Sequence, residues 1–128
     1  MGLFWIDFEV GDPQGQVYES VHALVDTGAT YTSLPASTLT RLKVTPHDRL
    51  KFIHADGSEA EKDIGQTWVR VNGKSVITLV IFGEEGSPAL LGAYTLEGVR
   101  LGVDPVNRRL VSVPGYLVSQ WPAGDEGE

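Results

Sequence analysis

A chain of 128 residues, 41% apolar and 21% charged, is long enough to bury roughly two-thirds of its unfolded surface in one globular core. It contains no cysteine, which excludes disulfides, thiolate metal sites and a cysteine nucleophile and fits a reducing, cytoplasmic setting. A formal charge of -7 makes nucleic acid or an anionic membrane surface an unexpected partner, and no apolar run approaches the ~20 residues of a membrane span.

In chain order the pattern is mainly short strands. Leu3 to Val10 alternates Ile6, Phe8 and Val10 with Asp7 and Glu9, as a half-buried strand does; those acids and the lack of a basic segment argue against a leader peptide. Gly11 to Gln16 supplies Gly, Asp and Pro for a hairpin loop, and Val17 to Val25 returns as a strand that ends at Asp26. Thr30 to Leu34 is a further short strand, stopped by Pro35. Pro35 to Leu42 is a two-turn helix with Leu39 and Leu42 on one face.

Arg49 to His54 reads as a strand, Ala55 to Ser58 as a tight turn, and Glu59 onward as the return. Trp68 to Phe82 is the clearest hairpin, because Asn72-Gly73 is the preferred pair for a type I′ turn. Ala89 to Val99 is a short apolar strand, a glycine and a short helix. Leu101 to Val113 is a last hairpin turning at Asp104-Pro105 and Asn107. The expected architecture is all-β with one or two short helices, one domain over residues 1–121 and a disordered acidic tail over 122–128.

The stretch Ala23-Leu-Val-Asp-Thr-Gly-Ala-Thr30 places a carboxylate directly behind three apolar residues. Such a group is partly desolvated, which is costly unless it is paired or used. Asp-Thr-Gly alone is a common turn, but three parts occur in order. Hydrophobic-hydrophobic-Asp26-Thr27-Gly28-Ala29 comes early, a hairpin from Phe52 to Ala60 follows, and Leu90-Leu91-Gly92-Ala93 leads into a short helix. Together they resemble the retropepsin-like branch of the aspartic proteases over roughly residues 17–113.

That resemblance implies a closed, barrel-like acid-protease lobe. Asp26 would be the catalytic group, with Thr27, Gly28 and Ala29 supporting its loop and Leu90, Leu91 and Gly92 packing beside it. Ile53, His54, Ala55, Asp56 and Gly57 would form a flap over the substrate. The chemistry of such enzymes needs two carboxylates that share a proton and activate a water, one taking its proton while the other protonates the scissile amide. This chain has one Asp-Thr-Gly, while Asp56-Gly57-Ser58 has the wrong order and Asp104 precedes a proline. The resemblance therefore implies a homodimer in which Asp26 pairs with the partner subunit's Asp26, cleaving an extended peptide. Two positions depart from the retroviral pattern: Thr30 stands where those enzymes often carry Asp, and the flap holds a single glycine.

Two other readings are a dimer that binds extended peptides without cutting them, and a structural dimerisation module in which Asp26 merely caps a turn. Leu24, Ile53 and Ile81 are candidate pocket walls. Trp5, Trp68 and Trp121 read as core or interface residues, Trp68 also as a cleft residue, and Tyr116 to Trp121 as an interface strand. His22, His47 and His54 lack metal-ligand spacing, so no metal and no other cofactor is expected.

Overall fold

The computed structural model describes residues 2–114, so the expected interface strand 116–121 and tail 122–128 lie outside the described residues. The strands are β1 (Gly2–Gly11), β2 (Tyr18–Asp26), β3 (Thr32–Pro35), β4 (Asp48–Ile53), β5 (Glu59–Val71), β6 (Lys74–Gly83), β7 (Ala89–Leu91), β8 (Leu101–Asp104) and β9 (Arg109–Ser112). Two one-and-a-half-turn helices, α1 (Ala36–Arg41) and α2 (Ala93–Gly98), interrupt them.

The alternation read from β1 places Phe4, Phe8 and Val10 inside and Trp5 and Asp7 outside. Asp12 organises the following loop by accepting the N–H groups of Gln16 and Val17 at 2.7 and 3.2 Å. Asn72 and Gly73 take φ of 49° and 79°, the left-handed pair a type I′ turn requires. The two segments expected after Ala55 merge into one element. β5 runs 13 residues without a break, pairing through Glu59–Ile64 with β4 and through Ile64–Val71 with β6. One strand thus serves two hairpins.

Strands lie in the order β1-β2-β7-β3-β6-β5, and β5 returns to β1 through Glu9–Arg70 and Val10–Val69. Six strands therefore close a barrel, while β4 hangs from β5 outside it. The closure is reinforced by the Thr67 hydroxyl, which donates to the Gly11 carbonyl at 2.5 Å, and by Arg70, which pairs with Glu9 and lies over the Tyr18 ring. Val10, Val25, Leu34, Val69, Val80 and Leu91 are essentially inaccessible inside. Each such side chain contributes about 1.5–3 kcal/mol, against about 0–1 kcal/mol for an exposed ion pair, so the interior dominates stability.

The feature that positions the site is β7. It lies parallel to β2, with Ala23–Ala89, Leu24–Leu90 and Val25–Leu91 opposed, and antiparallel to β3 at Ser33–Leu90. Being inserted between β2 and β3, β7 forces the loop that joins them to cross its C-terminal end. Gly92 stands at that crossing, where an added Cβ would come within 2.6 Å of the Tyr31 carbonyl carbon and oxygen and 2.9 Å of the Thr32 nitrogen. These are backbone atoms that cannot swing away. Gly92→Ala is expected to lower stability by about 1–3 kcal/mol, read as a fall in the urea midpoint at unchanged slope.

Candidate active site

Asp26 is the last residue of β2, half-buried where apolar pairing stops and the chain turns. The Gly28 N–H donates to its Oδ1 at 3.0 Å, and the Ala29 N–H to its carbonyl oxygen at 3.1 Å. A hydrogen bond to the carboxylate favours its ionised form and fixes its rotamer. Thr27 and Gly28 are exposed at the tip of the turn.

α2 clamps the far side of this loop. The N–H groups of Ala93 and Tyr94 donate to the carbonyls of Ala29 and Thr30, each at 2.9 Å. The segment Leu90-Leu91-Gly92 thus lies against the Asp26 loop. Leu91 is buried in the barrel, while Leu90 faces outward into a cleft of about 650 Å³.

One wall of the cleft is Asp26, Gly28, Ala29 and Tyr31, with Leu90 and Ile81 beside them. The other is the β4–β5 hairpin, which contributes Phe52, Ile53, His54 and Ala55. Among the described residues lining it, Asp26 is the one carboxylate. Ile53 is an apolar side chain 71% exposed at the hairpin end. Of the other expected walls, Ile81 lines the cleft, while Leu24 flanks Leu90 without lining it. Trp68 is a correction: its ring sits against Gly15 of the β1–β2 loop, because position 68 points to the outer face of β5. Trp5 lies on the outer face of β1, 49% exposed and stacked on His22 at 5.0 Å, rather than in the core. Among the described residues, no group of three His, Asp or Glu side chains could hold a metal ion, and no helix is long and apolar enough to cross a membrane.

The tip of the hairpin is a turn in which the Gly57 N–H donates to the His54 carbonyl at 2.9 Å and Gly57 takes φ of 87°. Asp56 caps it by accepting the Ser58 hydroxyl at 2.6 Å and the Ser58 N–H at 2.9 Å. The Ser58 hydroxyl, with its N–H, holds the Asp56 carboxyl below the ordinary carboxylate range.

Local pattern gave no warning of three buried threonines behind the loop. Thr32 accepts the Gly92 N–H at 3.1 Å, shares a hydroxyl contact of 2.6 Å with Thr95, and Thr95 shares another of 2.9 Å with Thr78. This chain of hydroxyls joins β3, α2 and β6 and holds β7 against the loop of Asp26. Their burial in an otherwise apolar interior is a signal that only a known inward face could reveal.

The sequence pattern of the gag-polyprotein aspartyl protease family matches residues 16–98, from the β1–β2 loop through α2. The chain belongs to this family. Among solved structures it is similar to the protease of simian foamy virus (mac), with 21% identity over 73% of this chain and 91% of that one and a TM-score of 0.49. It is also similar to the EIAV protease in complex with the inhibitor HBY-793, with 18% identity, 84% and 93% coverage and a TM-score of 0.49. A retropepsin-like aspartic protease from Rickettsia conorii matches with 20% identity, 79% and 93% coverage and a TM-score of 0.43. No curated protein matches the chain in sequence. The barrel, with its loop, inserted strand and hairpin, is a single retropepsin-like lobe.

Two outcomes follow from this geometry. Thr95→Val keeps the shape but leaves the Thr32 and Thr78 hydroxyls without their shared partner. Stability should fall by about 1–3 kcal/mol in a denaturant titration, and Thr95→Ser should recover most of it. Because Asp56 titrates low, its hold on the flap turn is complete above the unfolded carboxylate value and is lost as pH falls through the folded one. The Ser58 amide resonance should therefore move only below about pH 4, and Asp56→Ala should remove that transition.

Proposed function

We propose that the protein is an aspartic endopeptidase that works as a homodimer. The observation that carries this reading is a cleft whose described lining holds one carboxylate, Asp26, on one wall and an apolar-edged hairpin on the other. Activating a water and protonating a leaving nitrogen takes two groups that exchange a proton. A second copy, related by a two-fold axis through the Asp26 loops, supplies the missing carboxylate.

In that arrangement the two carboxylates cannot both ionise easily and share one proton. One removes a proton from the water they hold, and that water attacks the scissile carbonyl carbon. The other gives its proton to the carbonyl oxygen; the first then passes the proton it took from water to the departing nitrogen, and the second recovers a proton from a hydroxyl of the collapsing gem-diol. The Gly28 N–H keeps each carboxylate in place. Thr27, exposed beside the pair, reaches for the partner loop. The exposed Ile53 and the His54–Gly57 turn close over a substrate that lies extended between loop and flap.

The test is cleavage of a mixed pool of unstructured peptides by the parent and by Asp26→Asn across about pH 3 to 8. The parent should cut and the variant, still folded by near-ultraviolet circular dichroism, should lose at least about 10²–10⁴-fold in turnover. Specific activity should also fall on dilution below the dimer dissociation constant. Peptides that bind both proteins and are cut by neither would identify a binding dimer instead.

A further inference from the structure

The two faces of the flap hairpin differ in kind. On the outer face Arg49 is paired with Glu61 and Asp63, and Lys51 with Glu59, at 2.9–3.5 Å and largely in solvent. Cross-strand register puts Leu50 opposite Lys62 and Phe52 opposite Ala60 on the other face, next to the buried Ile64. Apart from Asp48, exposed at the base of the hairpin opposite Ile64, that inner face is apolar at every one of these positions except Lys62.

Lys62 is also the most enclosed of the paired cations. Its side chain is 26% exposed, the lowest among the cations in ion pairs of the described residues. It lines the cleft that contains Asp26, together with the hydroxyl-bearing Tyr31 and Ser33. The Nζ donates to Glu84 Oε1 at 3.0 Å, but Glu84 is 72% exposed on the β6–β7 loop. A tie to a solvent-washed carboxylate is weak and exchangeable. An ammonium carries three donors, and Glu84 takes one.

We propose that Lys62 makes this cleft select peptides with an acidic side chain, Asp or Glu, close to the bond that is cut. The substrate carboxylate pairs with Lys62 Nζ in the partly desolvated cleft and releases Glu84 to solvent, where that residue loses little. The apolar remainder of the flap face holds the neighbouring substrate side chains. The inference rests on the reading of the cleft as a peptide site and adds its chemical preference.

The experiment compares short blocked peptides that are identical except for Glu, Gln, Leu or Lys at positions flanking one cleavable bond. The parent should prefer Glu over Leu and Gln by about tenfold in kcat/KM. Lys62→Met, which keeps the aliphatic stem, should abolish the preference. Lys62→Glu should turn it towards the Lys peptide, and Glu84→Gln should strengthen it because the competing carboxylate is gone. Equal cleavage of all four peptides, or a preference for Leu that Lys62→Met leaves unchanged, would overturn the proposal. If no peptide is cut, the peptidase reading fails by itself. The preference is then read from fluorescence anisotropy of the same labelled peptides: Lys62-dependent binding of the Glu peptide upholds it, and its absence overturns it.

Discussion

The structure depends on one close backbone contact, where Gly92 passes within van der Waals distance of Tyr31 and Thr32. Nothing larger than hydrogen fits there without displacing backbone, and that fit lets β7 lie between β2 and β3 unstrained. The insertion has two consequences. It completes the barrel by giving β2 and β3 a shared neighbour, and it leaves the connection between them strapped over the end of β7. Asp26 stands at the first residue of that strap.

The described contacts of the strap are hydrogen bonds, neutral except where the Gly28 N–H meets the Asp26 carboxylate. Backbone donors of Ala93 and Tyr94, the three threonine hydroxyls and the Gly28 N–H account for its described contacts, each short and, for the threonines, buried. The neutral hydrogen bonds inside the apolar barrel do not weaken with salt. Among the described residues, the charged pairs lie on the hairpin's outer face, at the barrel seam and at other exposed positions, save Lys62–Glu84, whose lysine is on the inner face.

If the cleft activates water, as we propose, the one carboxylate of its described lining needs a second, and two-fold symmetry would supply it. Pairing two copies would place like charges together, which raises the affinity of the pair for one shared proton. Such a pairing links catalysis to assembly. It also makes every feature of the cleft, Lys62 included, occur twice about the axis, so an extended substrate would meet the same chemistry on both sides of its scissile bond.

Much of this was legible in the residues themselves. Alternation in β1, the Asn72-Gly73 turn, the helix Leu39–Leu42 spacing and the pair of motifs at Asp26 and Leu90 are local signals, because backbone conformation and periodicity are set by neighbours within a few positions. They determined an all-β lobe and pointed to Asp26, to Gly92 and to the flap. Other features required the folded chain. The merging of two segments into β5, the exclusion of Trp68 from the cleft, the chain of threonines and the placing of Lys62 on an apolar face all depend on which strand lies beside which. The contact from Thr32 to Thr95 spans 63 positions, and that from Gly92 to Thr32 spans 60. Period-two patterning says that a residue alternates in or out; only the closed barrel decides what it meets there.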